Sequence, residues 1–259
     1  INFWMRGTHL NIPDNYRNLN NNYVTIHNPI LNNENRVLKI YPLDIKKSKI
    51  QKNLKIIYIS KTINNNTKNI KIWEKYKKKI LENFTLIDDL NFWRANFSNS
   101  TEDEIFSIYE DLKTFLRHEI ILNIKKKYKN DMILIGDDWK KYFKDAKDSI
   151  FDIRKVKEFY NGNICLDLGS TLGSISLYSR SNQIIESGGL IIQSKQKDSD
   201  EIWKNLSDRI TFTNQSSLTK LVDELLNNQS YCQTLLSDIS SNFSDSNKAV
   251  EENLRKIFD

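Results

Sequence analysis

Cysteine is nearly missing from this chain: 259 residues contain two, Cys165 and Cys232. Cys165 lies inside the apolar run NICLDL, so the pair reads as buried free thiols in a reducing cytoplasm and not as a disulfide staple or a metal knot. Long apolar runs are absent too. Nothing approaches the ~18 consecutive apolar residues that a membrane-spanning helix needs, and INFWMRGTHL has neither the basic start nor the apolar core of a signal peptide. Because the first residue is Ile, the chain is expected to begin inside a longer protein. Proline is confined to Pro13, Pro29 and Pro42, in a stretch broken by NNN and NNEN. Residues 1–50 are therefore expected to be loops and short elements, the end of a truncated N-terminal domain or an interdomain segment.

What the chain has is enough apolar material for a core. Hydrophobic residues make up 39% of it and charged residues 28%, with a mean hydropathy of -0.59, which places it among globular proteins. The formal net charge is +6, an excess that ordinarily points to an acidic partner. The lysines concentrate in 68–79 and 125–127, on stretches of helical pattern, and read as solvated faces. Nucleic acid is not expected as a partner. Asn, Lys and Ile are over-used, as an AT-rich coding sequence would favour, and the many Asn-x-Ser/Thr triplets follow from that bias without implying glycosylation.

From residue 51 onward strand-like and helix-like patterns alternate. LKIIYIS is a short β-branched run, followed by an amphipathic helix through Ile72, Trp73, Tyr76 and Ile80. FTLIDDL, from Phe84 to Leu90, reads as a second strand. SNSTEDEIF supplies an N-cap at Ser100 or Thr101 and an acidic first turn for a long helix with Ile105, Ile108, Leu112, Phe115, Leu116, Ile120 and Ile124 on one face. DMILIGDDW, NICLDLGS, GLIIQS and RITFTN read as further strands. A helix is expected from Ser216 or Ser217, and a helical tail from Ser230 to Asp259. Such alternation predicts an α/β fold, a parallel sheet with helices on both faces, over 51–259.

Ligands of such sheets bind at the carboxyl ends of the strands, so the loops after Ser60, Ile135, Leu168 and Ile192 are the places to look. Lys61 follows the first strand, Gly136 and Asp137 the next, and Gly169 and Ser170 open the loop GSTLGS. Gly and Ser let backbone N–H groups approach phosphate oxygens. No GK[ST] follows, so this is not a P-loop, and turn chemistry explains the loop equally well. Arg180 is more telling. It opens the helix SNQIIES, where a guanidinium fork and a helix N-terminus would converge on one anion, although a surface ion pair would also account for it.

The stretch NICLDLGSTLGSISLYSRSNQIIESGGLIIQ resembles the C-terminal, nucleotide-sugar-binding half of GT-B glycosyltransferases, in particular the spore-maturation-type group. The likeness runs from Lys55 to about Leu226 and includes RHEIILNIKKKYKNDMILIGDDW. It implies a Rossmann-like domain that takes a nucleotide-sugar as substrate, with no cofactor and no metal. A glycan, lipid or protein would be the acceptor, and peripheral membrane association would be compatible with the group. Carried over, the resemblance assigns Arg180 and Ser181 to the diphosphate, where the strand-end loops would add Gly169, Ser170 and Lys61. It assigns Gln183, Gly188 and Gly189 to the ribose or sugar, and Gly136 with Asp137 to the base. Gln183 departs from the Glu usual at its position. No Asp-x-Asp motif stands at a strand end, since Asp137 and Asp138 are adjacent. No catalytic base is assigned, because His9, His27 and His118 lack a motif around them. A non-catalytic nucleotide- or anion-binding module, and a nucleic-acid-associated domain using the basic helices, are the rival readings.

Overall fold

The computed structural model describes residues 3–4, 24–25, 41–42, 45–60, 69–170 and 174–245. Two short segments, β1 (Phe3–Trp4) and β2 (Val24–Thr25), pair in parallel. The body of the domain is a five-stranded sheet of β3 (Ile56–Ile59), β4 (Met132–Ile135), β5 (Ile164–Asp167), β6 (Leu190–Ser194) and β7 (Thr211–Phe212). Every pairing is parallel and the spatial order is β4-β3-β5-β6-β7. Counted along the sheet's own strands this is order 2-1-3-4-5, a doubly wound, Rossmann-like arrangement. The expected α/β class holds.

The strands are buried because helices cover the sheet, and β5 and β6 turn polar only at their carboxyl ends, at Asp167, Gln193 and Ser194. All residues of β5 and β6 are buried, and Ile59 of β3, Ile133 of β4 and Thr211 of β7 are partly open. The covering helices are α1 (Ile70–Glu82), α2 (Leu90–Asn96), α3 (Glu102–Tyr128), α4 (Ile153–Tyr160), α5 (Ser179–Glu186), α6 (Ser199–Trp203), α7 (Ser207–Ile210), α8 (Gln215–Asn227) and α9 (Gln229–Asn242). In α1, Trp73, Tyr76 and Ile80 are buried at helical spacing, as the sequence predicts. In α3, Thr101 and Glu104 form a capping box, Glu102 to Glu104 supply an acidic first turn and Lys125 to Lys127 a basic last turn. Each wholly buried Ile or Leu of its apolar stripe contributes about 1.5–3 kcal/mol by leaving water.

Two expectations need correction. FTLIDDL is not a strand: Phe84–Asp88 is a 3₁₀ turn. The Asn83 side chain accepts from the Thr85 N–H at 3.1 Å and Asp89 caps α2 through Phe92 N–H, so local side-chain bonds win over a ladder. The cap of α8 is Asn214, whose side chain accepts from Ser217 N–H while Ser217 returns the bond, so Ser217 is the third helical residue. The predicted tail is helical through Asn242, and 246–259 lie outside the described residues.

Residues 45–51 belong to the same body. Lys46 N–H donates to Glu186 O, Gln51 N–H to Gly162 O and Ile50 N–H to the Gln233 side chain. Among the described residues no helix is long and apolar enough to cross a membrane.

Candidate functional site

The strand order reverses between β3 and β5, and there the sheet opens. β3 pairs with β4 over all four residues but with β5 only at Ile56 and Ile57. Beyond those two residues, toward the carboxyl ends, β3 and β5 part, leaving the crevice where doubly wound sheets bind ligands.

Two arginines enter it from different elements. Arg117, from the middle of α3, donates from Nη2 to Ser60 Oγ at 3.4 Å, and Arg180, from the first turn of α5, donates to the same oxygen at 3.5 Å. Neither has a carboxylate partner within ion-pair distance among the described residues, and Arg180 Nη1 is buried with no hydrogen-bond partner. Two like charges on the order of 6 Å apart repel by roughly 3 kcal/mol at an effective dielectric of about 20. An anion bridging the two guanidinium forks would remove that cost and satisfy the orphaned donor.

The crevice wall explains how Arg180 is tolerated. The Tyr178 ring lies under its guanidinium at 6.0 Å, and the Tyr178 hydroxyl donates to Asp167 Oδ1 in a short bond. Asp167 is fully buried and also accepts from Gly169 N–H at 3.1 Å and Gln193 Nε2 at 2.9 Å. Burial disfavours the charged form of Arg180, but Tyr178, Tyr58 and Asp167 outweigh it and hold the pKa above its ordinary value. The phenol of Tyr178 is pushed well up, first by burial and then by Asp167, so it stays a donor. Gln193 passes the network on, donating to Ser176 O and accepting from Trp203 Nε1.

Of the residues singled out in the sequence, Arg180, Gly169 and Ser170 meet at the carboxyl ends beside this crevice. Gly169 has φ +74, and a Cβ there would sit 2.7 Å from Gln196 Nε2. Ser170 is half-buried. Lys61 lies outside the described residues. Gly136 and Asp137 follow the neighbouring β4; Gly136 N–H donates to Lys147 O and Asp137 is exposed. They border the crevice through Trp139, whose indole N–H donates to Ser60 O at 2.7 Å.

Others are elsewhere or already engaged. Ser181 is buried and its hydroxyl closes the α5 cap, accepting from Tyr178 N–H and donating to Tyr178 O. Gln183 sits farther along α5, half-buried. Gly188 and Gly189 precede β6 and so lie at its amino end, opposite the crevice. A Cβ on Gly188 (φ +70) would fall 2.0 Å from Ser48 Oγ, and one on Gly189 2.8 Å from Cys165 Sγ and 3.0 Å from Tyr160 O. Their close approach is to the protein itself.

Arg117 has no part in the sequence assignment. The available signal is Lys113 with Arg117, one turn apart and next to the apolar stripe of α3. Its neighbour His118 stacks on Trp139 at 5.5 Å, and burial lowers its pKa. Beyond Arg117 the crevice continues past Leu168 and Gln196 into a pocket of roughly 410 Å³ over the carboxyl end of β6. Asp88 lines it and pairs with the buried Lys113 at 2.9 Å, with the Tyr109 hydroxyl on the same Asp88 oxygen at 3.0 Å. Burial lowers the pKa of Lys113 and Asp88 opposes the shift. No family model, curated protein or solved structure matches this chain.

Proposed function

We propose that the chain is the donor-binding half of a GT-B-type glycosyltransferase and that its crevice receives the diphosphate of a nucleotide-sugar. The observation that carries this reading is the convergence of Arg117 and Arg180 on Ser60 at the switch point, with Arg180 Nη1 buried and unpartnered. Breaking the bond from sugar to phosphate puts charge on the leaving diphosphate. Two guanidinium groups preorganised in a partly buried crevice stabilise that charge more than they stabilise the ground state. The acceptor, whether glycan, lipid or protein, and the base that deprotonates it would belong to a facing domain, so that closure assembles the site. A cytoplasmic location fits the buried thiols of Cys165 and Cys232.

A second reading, a non-catalytic nucleotide- or anion-binding module, is favoured by one observation. Gly188 and Gly189 lie at the far end of β6, so much of the expected sugar-side contact is missing, and the Ser181 hydroxyl expected at the diphosphate is engaged in a cap. Calorimetry and donor hydrolysis on the full chain distinguish the readings. Binding of UDP or GDP with no binding of uridine or guanosine is expected, together with slow release of sugar from the matching donor. Diphosphate binding with no sugar release, with or without candidate acceptors, would leave the binding module. Equal affinity for nucleoside and nucleoside diphosphate would remove the crevice from both.

A further inference from the structure

Asp167 and Arg180 are opposite charges built into one wall of the crevice, yet they do not pair. Asp167 is fully buried at the end of β5, and its three hydrogen bonds all come from neutral groups: the Tyr178 hydroxyl and Gly169 N–H at 3.1 Å on Oδ1, and Gln193 Nε2 at 2.9 Å on Oδ2. Arg180 makes no ion pair among the described residues, and its Nη1 is buried without a partner. A buried carboxylate and an orphaned guanidinium nitrogen would each gain by meeting. Tyr178 touches both. Its ring faces the guanidinium at 6.0 Å while its hydroxyl occupies Asp167. The residue is held from behind, since its N–H donates to Ser181 Oγ at 2.7 Å and its carbonyl accepts from the same hydroxyl at 2.9 Å. Gln193 has no spare donor to replace the phenol: Nε2 also donates to Ser176 O at 2.7 Å, and Oε1 accepts from Trp203 Nε1 at 3.2 Å.

We propose that Tyr178 is a positioning residue that keeps Asp167 off Arg180, so that the guanidinium stays open to a ligand anion. This rests on the reading of the crevice as a diphosphate site. A direct Arg180–Asp167 pair would satisfy the orphaned nitrogen from within the protein and cancel the charge that an incoming diphosphate has to meet. With the phenol on Oδ1 the carboxylate is satisfied by a neutral donor, and its charge still helps to hold Arg180 protonated. The wall thereby supplies a counter-charge without supplying a competitor.

The test is calorimetry with UDP and GDP on the full chain, comparing wild type with Tyr178→Phe, each also in an Arg180→Ala background. Phe keeps the ring and removes the donor, so Asp167 is expected to turn to the uncommitted nitrogen of Arg180. Affinity for whichever diphosphate the wild type binds should then fall roughly tenfold. The urea midpoint should be no lower than that of the wild type, since a buried donor and a buried acceptor now satisfy each other. In the Arg180→Ala background the same substitution should change affinity by less than about twofold. Unchanged affinity in Tyr178→Phe overturns the inference, as does an equal loss in both backgrounds, which would place the phenol on the ligand itself. A lowered midpoint, or failure to fold, also overturns it, because the hydroxyl is then a structural partner of Asp167. Each of these leaves the diphosphate reading intact, whereas a wild type that binds neither UDP nor GDP removes both.

Discussion

At the amino ends of β3, β5 and β6, backbone meets backbone. Gly162 N–H donates to Gly188 O, Gln51 N–H to Gly162 O, Ile164 N–H to Lys55 O and Leu190 N–H to Asn163 O, all within 2.8–2.9 Å. At the carboxyl ends of the same strands the bonds run through side chains: two arginines on a serine hydroxyl, a phenol and an amide on a buried carboxylate, an indole on a carbonyl. One end is sealed by backbone bonds, with Ser48 Oγ beside Gly188 left buried without a partner. The other keeps a buried guanidinium nitrogen without a partner. A single sheet therefore divides its labour. Stability is concentrated where side chains are excluded, and binding capacity where polar groups converge unsatisfied.

The sharpest way to break that contrast is Gly162→Ala. Gly162 has φ +69, and a Cβ there would stand 2.3 Å from Lys49 O. The left-handed backbone and a clash with an immobile carbonyl should together cost roughly 3 kcal/mol in urea unfolding, while the affinity of the folded fraction for UDP or GDP stays unchanged. A parallel loss of affinity would show that the two ends are not independent.

Arg180→Ala probes the other end. Diphosphate affinity should fall by about 2–3 kcal/mol, with Arg180→Lys recovering part of it because an ammonium lacks the fork. Unfolding stability should hold or rise, since the substitution removes a buried donor that has no partner. A large loss of stability with no loss of affinity would make Arg180 a structural residue.

The smallest expected effect is on pH dependence at the crevice wall. Burial lowers the pKa of His118 from 6.5, so the folded state binds fewer protons than the unfolded state below that pH. Its contribution is complete above pH 6.5 and is lost as pH falls toward the lowered folded value. His118→Phe, which keeps a ring against Trp139, should flatten that slope in unfolding measured from pH 7 to pH 5. An unaltered slope would assign it to carboxylates.

The strands were legible because a strand buried on both faces has to be an unbroken apolar run, and ILI, ICL and LII permit little else. The start of α3 was legible because Thr101 and Glu104 cap reciprocally through bonds local in sequence. Arg180 stood out as a cation at a helix start after a small-residue loop. Arg117 did not, because a polar residue in mid-helix is written the same way whether it meets solvent or the serine that follows β3, 57 residues away in sequence. Gly188 and Gly189 were visible as a turn but assigned to a ligand. Topology separates these cases: a turn that precedes a parallel strand lies at its amino end, away from the ligand side. FTLIDDL misled because its β-like composition competes with the local caps of Asn83 and Asp89, and the ion pair of Asp88 with Lys113, distant in sequence, adds a tertiary contact to the turn.

Helix α5 joins the two ends of the sheet. Its first turn presents Arg180, and its last carbonyl, that of Glu186, accepts from Lys46 N–H at 3.1 Å. Eight residues make a rod of about 12 Å. The same short helix thus ties the segment through Lys46 to the end of the sheet that carries Arg180.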